Sequence, residues 1–262
     1  SGGNFAFTSI EDDSVDTSFI VRFDSKSMKI DTLKLDGLAK SPVLSDDGKH
    51  LAFLFSTDTA TVKNYDLYLW NLGENNHKVL VDSLNPSLKG DMRVSLNYDI
   101  NFSDSGERLF FGIAKSLKPE PEETLLDEEK ANVEVWSWND PLIYPQQNFE
   151  LSKEKKKTFL MLYDLSSDKI IQLTDSLVEN VSFSKYSDNR YALGSSGHNY
   201  KTFISWDDSY SDLYSIDLTT GSRKLIKQKQ SQVATISPKG KYIIWYDETD
   251  SSYYSYDNSS GK

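Results

Sequence analysis

The chain has no cysteine, so disulfides, thiolate nucleophiles and cysteine-held zinc are excluded. It has only three histidines, His50, His77 and His198. None has a histidine or carboxylate two, three or four residues further on, and no Asp-x-Asp-x-Asp-Gly calcium loop occurs. No metal or other cofactor is therefore expected. No apolar run approaches the roughly 20 residues of a membrane-spanning helix. Positive charge is also short: 29 Lys and Arg face 40 Asp and Glu, a net charge of −11. A surface of that sign repels a phosphate backbone at long range, so nucleic acid is not an expected partner.

What the chain does have is aromatic residues and turns. Tyr, Phe and Trp make up 13% of its 262 residues, and Ser, Thr, Asp and Gly recur between short apolar runs. That mixture favours strands joined by tight turns.

The turns repeat. Ser45-Asp46-Asp47-Gly48 precedes the run Leu51-Ala52-Phe53, and Ser103-Asp104-Ser105-Gly106 precedes Leu109-Phe110-Phe111. Ser237-Pro238-Lys239-Gly240 precedes Tyr242 to Trp245, and a degraded copy without glycine runs from Ser184 to Leu193. Each reads as a hairpin capped by a Ser or Asp side chain, with glycine supplying a positive φ. A second unit, a strand closed by Asp or Asn, a short polar turn and another strand, follows the first. Its copies are Phe19–Asp24, Tyr65–Asn71, Phe159–Asp164, Asp212–Asp217 and Tyr253–Asp257. Together the two units make a four-stranded antiparallel meander repeated along the chain, the pattern of β-propeller blades. The expected fold is all-β: a propeller portion spanning 1–262, with about five blades.

The Ser45, Ser103, Ser184 and Ser237 anchors lie 58, 81 and 53 residues apart. The long middle gap predicts an insertion within one blade over 116–157. It holds the acidic stretch Glu120 to Glu129, Trp136, Trp138 and the basic run Lys153 to Lys157. The first copy starts on a second strand, at Asn4 to Phe7, and the last stops at the turn after a third strand, at Asp257 to Lys262. Both outer blades are therefore expected to be incomplete, and the whole to be an open arc of a larger ring.

Catalytic patterns are weak. Gly194-Ser195-Ser196-Gly197-His198 approximates the Gly-x-Ser-x-Gly elbow of serine hydrolases, but its glycines are one residue too close. It reads as a loop after Tyr191-Ala192-Leu193. His50 reads as a hairpin residue and His77 as a turn residue. Asp46, Asp47, Asp104, Asp164 and Asp217 occupy repeat positions that turn capping explains. Trp136 and Trp138, two apart in Val133-Glu134-Val135-Trp136-Ser137-Trp138-Asn139-Asp140-Pro141, would share one face of a strand. They either pack the insertion onto its blade or form an aromatic contact surface for a peptide or a neighbouring domain.

This last segment, followed by Pro145-Gln146-Gln147, resembles the propeller of prolyl oligopeptidase-like (S9) serine peptidases of Bacteroidetes type, which include dipeptidyl-peptidase-like members. So do Asn97 to Gly112 and the late blade from Ile204-Ser205-Trp206 to Ile226. The resemblance implies a parent, periplasmic or secreted, in which a propeller limits the access of peptides to an α/β-hydrolase domain. That hydrolase domain is missing from this chain, so no catalytic residue is expected here. The expected partners are the hydrolase domain of the parent and peptide substrates. Two other readings are a free-standing propeller binding module similar to TolB or WD-repeat scaffolds, and a complete propeller enzyme such as a glycosidase or lyase.

Overall fold

The computed structural model describes residues 7–12, 17–25, 27–72, 76–116, 133, 135–137, 140–184, 187–203 and 206–262. The side chains of 7–12 and of Asn76 are outside that description.

Among the described residues nineteen strands form five successive antiparallel sheets. Sheet one holds β1 (Phe7–Asp12), β2 (Thr17–Asp24) and β3 (Lys29–Leu35). Sheet two is the meander β4 (Leu38–Leu44), β5 (His50–Ser56), β6 (Asp66–Asn71) and β7 (Asn76–Val81). Sheet three holds β8 (Met92–Val94), β9 (Asn101–Phe102), β10 (Arg108–Lys115), β11 (Phe159–Asp164) and β12 (Lys169–Gln172). Sheet four is β13 (Asn180–Ser182), β14 (Tyr191–Ser196), β15 (Ser211–Asp217) and β16 (Arg223–Gln230). Sheet five holds β17 (Thr235–Ile236), β18 (Tyr242–Asp247) and β19 (Ser252–Asp257). Five blades, the outer two with three described strands each, match the expected all-β propeller. In the third blade the inner strand is split, because β8 and β9 both pair with β10. Between them the chain folds the Tyr98 side chain over Gly112, where any Cβ would collide with it.

The burial pattern explains the sequence. A middle blade has neighbours on both faces, so its central strands are apolar at consecutive positions. Leu51, Phe53 and Phe55 of β5 face one core with Ile20 and Trp70, whereas Ala52 and Leu54 face another with Leu109 and Phe111. Phe110, Leu160 and Leu162 join Ala192 and Ile216 in a third core, and Leu193 and Leu213 join Ile243 and Trp245 in a fourth. Five sheets thus share four cores among the described residues. The last sheet is buried on one side. Along β18 the exposure alternates, with Ile243 and Trp245 buried but Tyr242 38% and Ile244 37% exposed.

The serine turns are built as their repeat predicts. The N–H of Gly48, Gly106 and Gly240 donates to the carbonyl of Ser45, Ser103 and Ser237, at 2.8–2.9 Å. All three glycines have φ near +70°. Each serine Oγ then accepts the N–H five residues on, from His50, Arg108 and Tyr242. In the degraded copy the Asn189 amide donates to Ser184 Oγ at 2.5 Å instead. The other turn is capped by the closing aspartate: Asp164 accepts the N–H of Ser166 and Ser167, Asp217 that of Thr219, and Asp257 that of Ser259.

Some local expectations need correction. His77 lies within β7, opposite Trp70, not in a turn. Gly194 to Ser196 continue β14 rather than forming a loop, because a glycine there lets Ile216 and Val178 pack against the strand. His198 opens a 3-10 helix, His198–Phe203. Asp104 does not cap its own turn; it accepts the N–H of Ser187 in the next blade at 3.1 Å. The acidic stretch Glu120 to Glu129, Trp138, Asn4 to Ala6 and the pair Ile204-Ser205 lie outside the described residues.

Candidate functional site

β10 and β11 are direct neighbours, yet 43 residues, 116–158, separate them. The described part of this excursion contains α1 (Tyr144–Lys155). Pro145 stands in its first turn, where the missing N–H costs nothing, and Lys153 and Lys155 stand in its last turn, where they complement the helix dipole. No residue of α1 is buried, and Phe149 is 87% exposed. The helix therefore lacks the apolar contacts that usually stabilise one.

Trp136 lies outside any strand, 63% exposed, with its ring stacked on Tyr144 at 5.9 Å between centroids. Asp140 Oδ2 accepts the Ser137 N–H at 3.4 Å. The Trp136 ring and the start of α1 thus form one small aromatic surface.

A cleft of about 580 Å³ lies where the end of α1 meets the second and third blades. Its walls come from four stretches of chain: Lys63 to Tyr65, Arg93 to Asn97, Ala114 to Ser116, and Glu154 to Phe159. Among the described residues they bring Lys63, Arg93, Lys115, Lys155 and Lys157 together with one carboxylate, Glu154. The Lys63 ammonium is anchored on the Asp58 carbonyl at 2.6 Å, and the Arg93 guanidinium on the Met92 carbonyl at 2.7 Å. The Ser116 hydroxyl donates to Asn64 Oδ1 at 3.0 Å, tying the two blades together at the rim. Asp66 lies close to Arg93; burial first, then the Asp82 charge, raises its pKa, and Arg93 works in the opposite sense. Tyr65, Val94 and Phe159 supply apolar wall. Such a lining can accommodate an anion beside short apolar groups. The sequence pattern gave no sign of it, because the cations come from separate blades and only Lys155 and Lys157 belong to a visible basic run.

Ser196 is buried, and its Oγ accepts the His198 N–H at 3.3 Å. His50 Nδ1 lies 3.0 Å from Asn71 Oδ1, across the β5–β6 pair. Among the described residues no group of three or more His, Asp or Glu could hold a metal ion. No described helix is long and apolar enough to cross a membrane.

The fold defines the chain as a β-propeller module. No protein-family profile matches it, and no curated protein does. Solved structures similar to it include the β-propeller domain of the Trilobed protease from Pyrococcus furiosus, 15% identical, covering 98% of this chain and 67% of that one at a TM-score of 0.49. Acylaminoacyl peptidase from Pyrococcus horikoshii is 15% identical, covering 92% and 33% at a TM-score of 0.42. TolB from Acinetobacter baumannii is 17% identical, covering 99% and 51% at a TM-score of 0.39. The chain thus spans about half the length of TolB. These are similarities of fold between distant sequences.

Proposed function

We propose that the chain is the non-catalytic propeller region of a prolyl oligopeptidase-like serine peptidase of Bacteroidetes type, gating the access of peptides to a hydrolase domain supplied by the rest of a periplasmic or secreted parent. The observation that supports a portion of a larger ring is the exposed side of β18, where Tyr242 is 38% and Ile244 37% exposed. A propeller that serves as a self-contained binding module seals its ring, and a fifth core would then join the last sheet to the first. The described residues form four cores for five sheets, which supports a part of a larger ring. The residues from Asn97 to Gly112 and from Val133 to Pro141 support the family assignment by resemblance. The excursion 116–157 is an insertion within the third blade, and Trp136 with Trp138 contacts either the peptide or the neighbouring domain.

The parent gene tests this. Reading on past Lys262 is expected to give further blades and then a Gly-x-Ser-x-Gly elbow. A stop codon at that point, with a ring closed in solution, supports the free-standing module instead. The purified chain is expected to leave chromogenic dipeptide substrates uncleaved. Cleavage blocked by a serine-directed reagent overturns the non-catalytic assignment.

A further inference from the structure

The cleft beside α1 is a concentration of positive charge on a negative protein. Lysine and arginine are 29 of 262 residues overall, but five of the 15 that line the cleft. Two of the five have a local reason to be there, since Lys155 stands in the last turn of α1, where a cation complements the dipole, and Lys157, two residues beyond the helix, pairs with Glu154 and Glu179. Lys63, Arg93 and Lys115 have no such reason. They reach the cleft from the loop before β6, from β8 and from the end of β10. Lys115 has no ion pair among the described residues. Lys157 divides its charge between Glu154 at 3.7 Å and Glu179 at 3.9 Å. Cations brought to one void from separate segments are only partly compensated by Glu154, Glu179 and Asp66, and an anion placed among them adds to that compensation.

We propose that this cleft binds an acidic peptide segment, its carboxylates held by Arg93, Lys115 and Lys155 and its backbone lying along Tyr65, Val94 and Phe159. The volume of about 580 Å³ falls within the roughly 300–1,000 Å³ typical of ligand sites. The walls combine apolar surface with cations on flexible stems, which suits carboxylate side chains at variable spacing. A nucleic acid suits it less, because the net charge of −11 opposes a long polyanion everywhere outside the cleft. The choice of a peptide as the anion rests on the peptide-gating reading above; the anionic preference does not.

The test is fluorescence anisotropy on the full 262-residue chain with a labelled, N-acetylated, C-amidated glutamate-rich hexapeptide. Alanine-rich and lysine-rich hexapeptides and a six-nucleotide single-stranded DNA serve as competitors. The glutamate peptide is expected to bind at least about tenfold more tightly than either other peptide, and to weaken several-fold between low and high salt. The double variant Lys115→Glu/Lys155→Glu is expected to lower the affinity by about tenfold or more, while Lys239→Glu, in the 237–240 turn of the fifth blade, leaves it unchanged. Both cleft lysines are exposed, so the variant is expected to keep its fold. Should it unfold, Lys115→Gln with Lys157→Gln carries the same reading. Equal binding of the three peptides, or unchanged affinity in the cleft variants, overturns the proposal. DNA that competes as well as the glutamate peptide overturns the peptide assignment. All of these outcomes are independent of whether the parent gene encodes a hydrolase, so failure here and failure of the peptidase reading are distinguishable.

Discussion

Asp188 in the fourth blade grips Ser105 in the third with both carboxylate oxygens: Oδ2 accepts the Ser105 N–H at 2.7 Å, and Oδ1 accepts its hydroxyl at 2.6 Å. Ser105 sits in the serine turn of its own blade, so the repeat unit that builds each hairpin also clasps the next one. Around it, Asp104 accepts the Ser187 N–H, and the Arg108 guanidinium donates to the carbonyls of Ser187 and Asn189. Between the fourth and fifth blades the Asn189 amide reaches the Pro238 carbonyl at 2.9 Å. Polar clasps at the turns thus accompany the apolar cores between the sheets.

Replacing Asp188 by alanine removes both bonds to Ser105 and leaves the sheets themselves intact. The bonds are solvent-exposed, so the expected loss is at the modest end, about 1 kcal/mol. Urea denaturation measures it. The midpoint is expected to fall while the slope with denaturant stays constant. A midpoint equal to that of the parent chain shows that the clasp contributes nothing to stability.

Asp47 sets a pH dependence. Burial alone would raise its carboxyl, but the Ser45 hydroxyl, the Lys49 N–H and the Lys49 ammonium together bring it from 3.8 down to about 2. Between those two values the unfolded chain binds more protons than the folded one. The stability from Asp47 is therefore complete above about pH 4 and is lost as pH falls towards 2. Asp164, Asp175, Asp188 and Asp217 are shifted in the same direction, each by hydrogen bonds that outweigh burial. The chain is thus expected to lose stability progressively below pH 4. Asp47→Asn is expected to be less stable than the parent by about 1 kcal/mol at pH 7, with the gap closing by about pH 2. A gap that stays constant across this range removes the carboxylate from the explanation.

The propeller was legible because its turns are chemical and local. Ser and a Gly three residues on define a hairpin turn, and three such turns, with a degraded fourth at Ser184, in register with apolar strands leave little choice of fold. Where the determinant was a contact across the sheets, sequence was silent. Gly194 is in a strand because Ile216 sits where a side chain would go, which is invisible along the chain. α1 carries readable marks, Pro145 near its start and Lys153 and Lys155 near its end, but no buried stripe, so the periodicity that usually reveals a helix is missing. The cleft is the extreme case. Lys63, Arg93 and Lys115 are unremarkable residues of three different segments, and only the packing of the second blade against the third makes them neighbours.

Trp136 tests whether the excursion between β10 and β11 braces the blade or faces outward. Its ring is 63% exposed and stacks on Tyr144. Trp136→Ala is expected to lower stability by less than about 1 kcal/mol, the scale of one exposed aromatic pair. Thermal unfolding followed by circular dichroism checks this. A drop of several degrees instead means that the ring packs the excursion onto the propeller, and the contact-surface reading of Trp136 then fails.

Gly194 offers the sharpest test of the fourth blade. An added Cβ would lie 2.7 Å from Ile216 Cδ1 and 3.1 Å from Val178 Cγ1, inside the core shared by the third and fourth sheets. Real Cβ atoms do not approach so closely, so either the Ile216 side chain leaves its rotamer or β14 shifts. Gly194→Ala is expected to cost about 1–3 kcal/mol despite the better strand propensity of alanine. Pairing it with Ile216→Val, which removes the atom that would clash, is expected to recover part of the loss, so the two changes together cost less than the sum of each alone. Strict additivity in the double-mutant cycle means that the cost comes from the strand backbone and not from this contact. Full stability of Gly194→Ala on its own means that β14 can move away from Ile216 freely, and that the third and fourth blades are less tightly packed than their shared core requires.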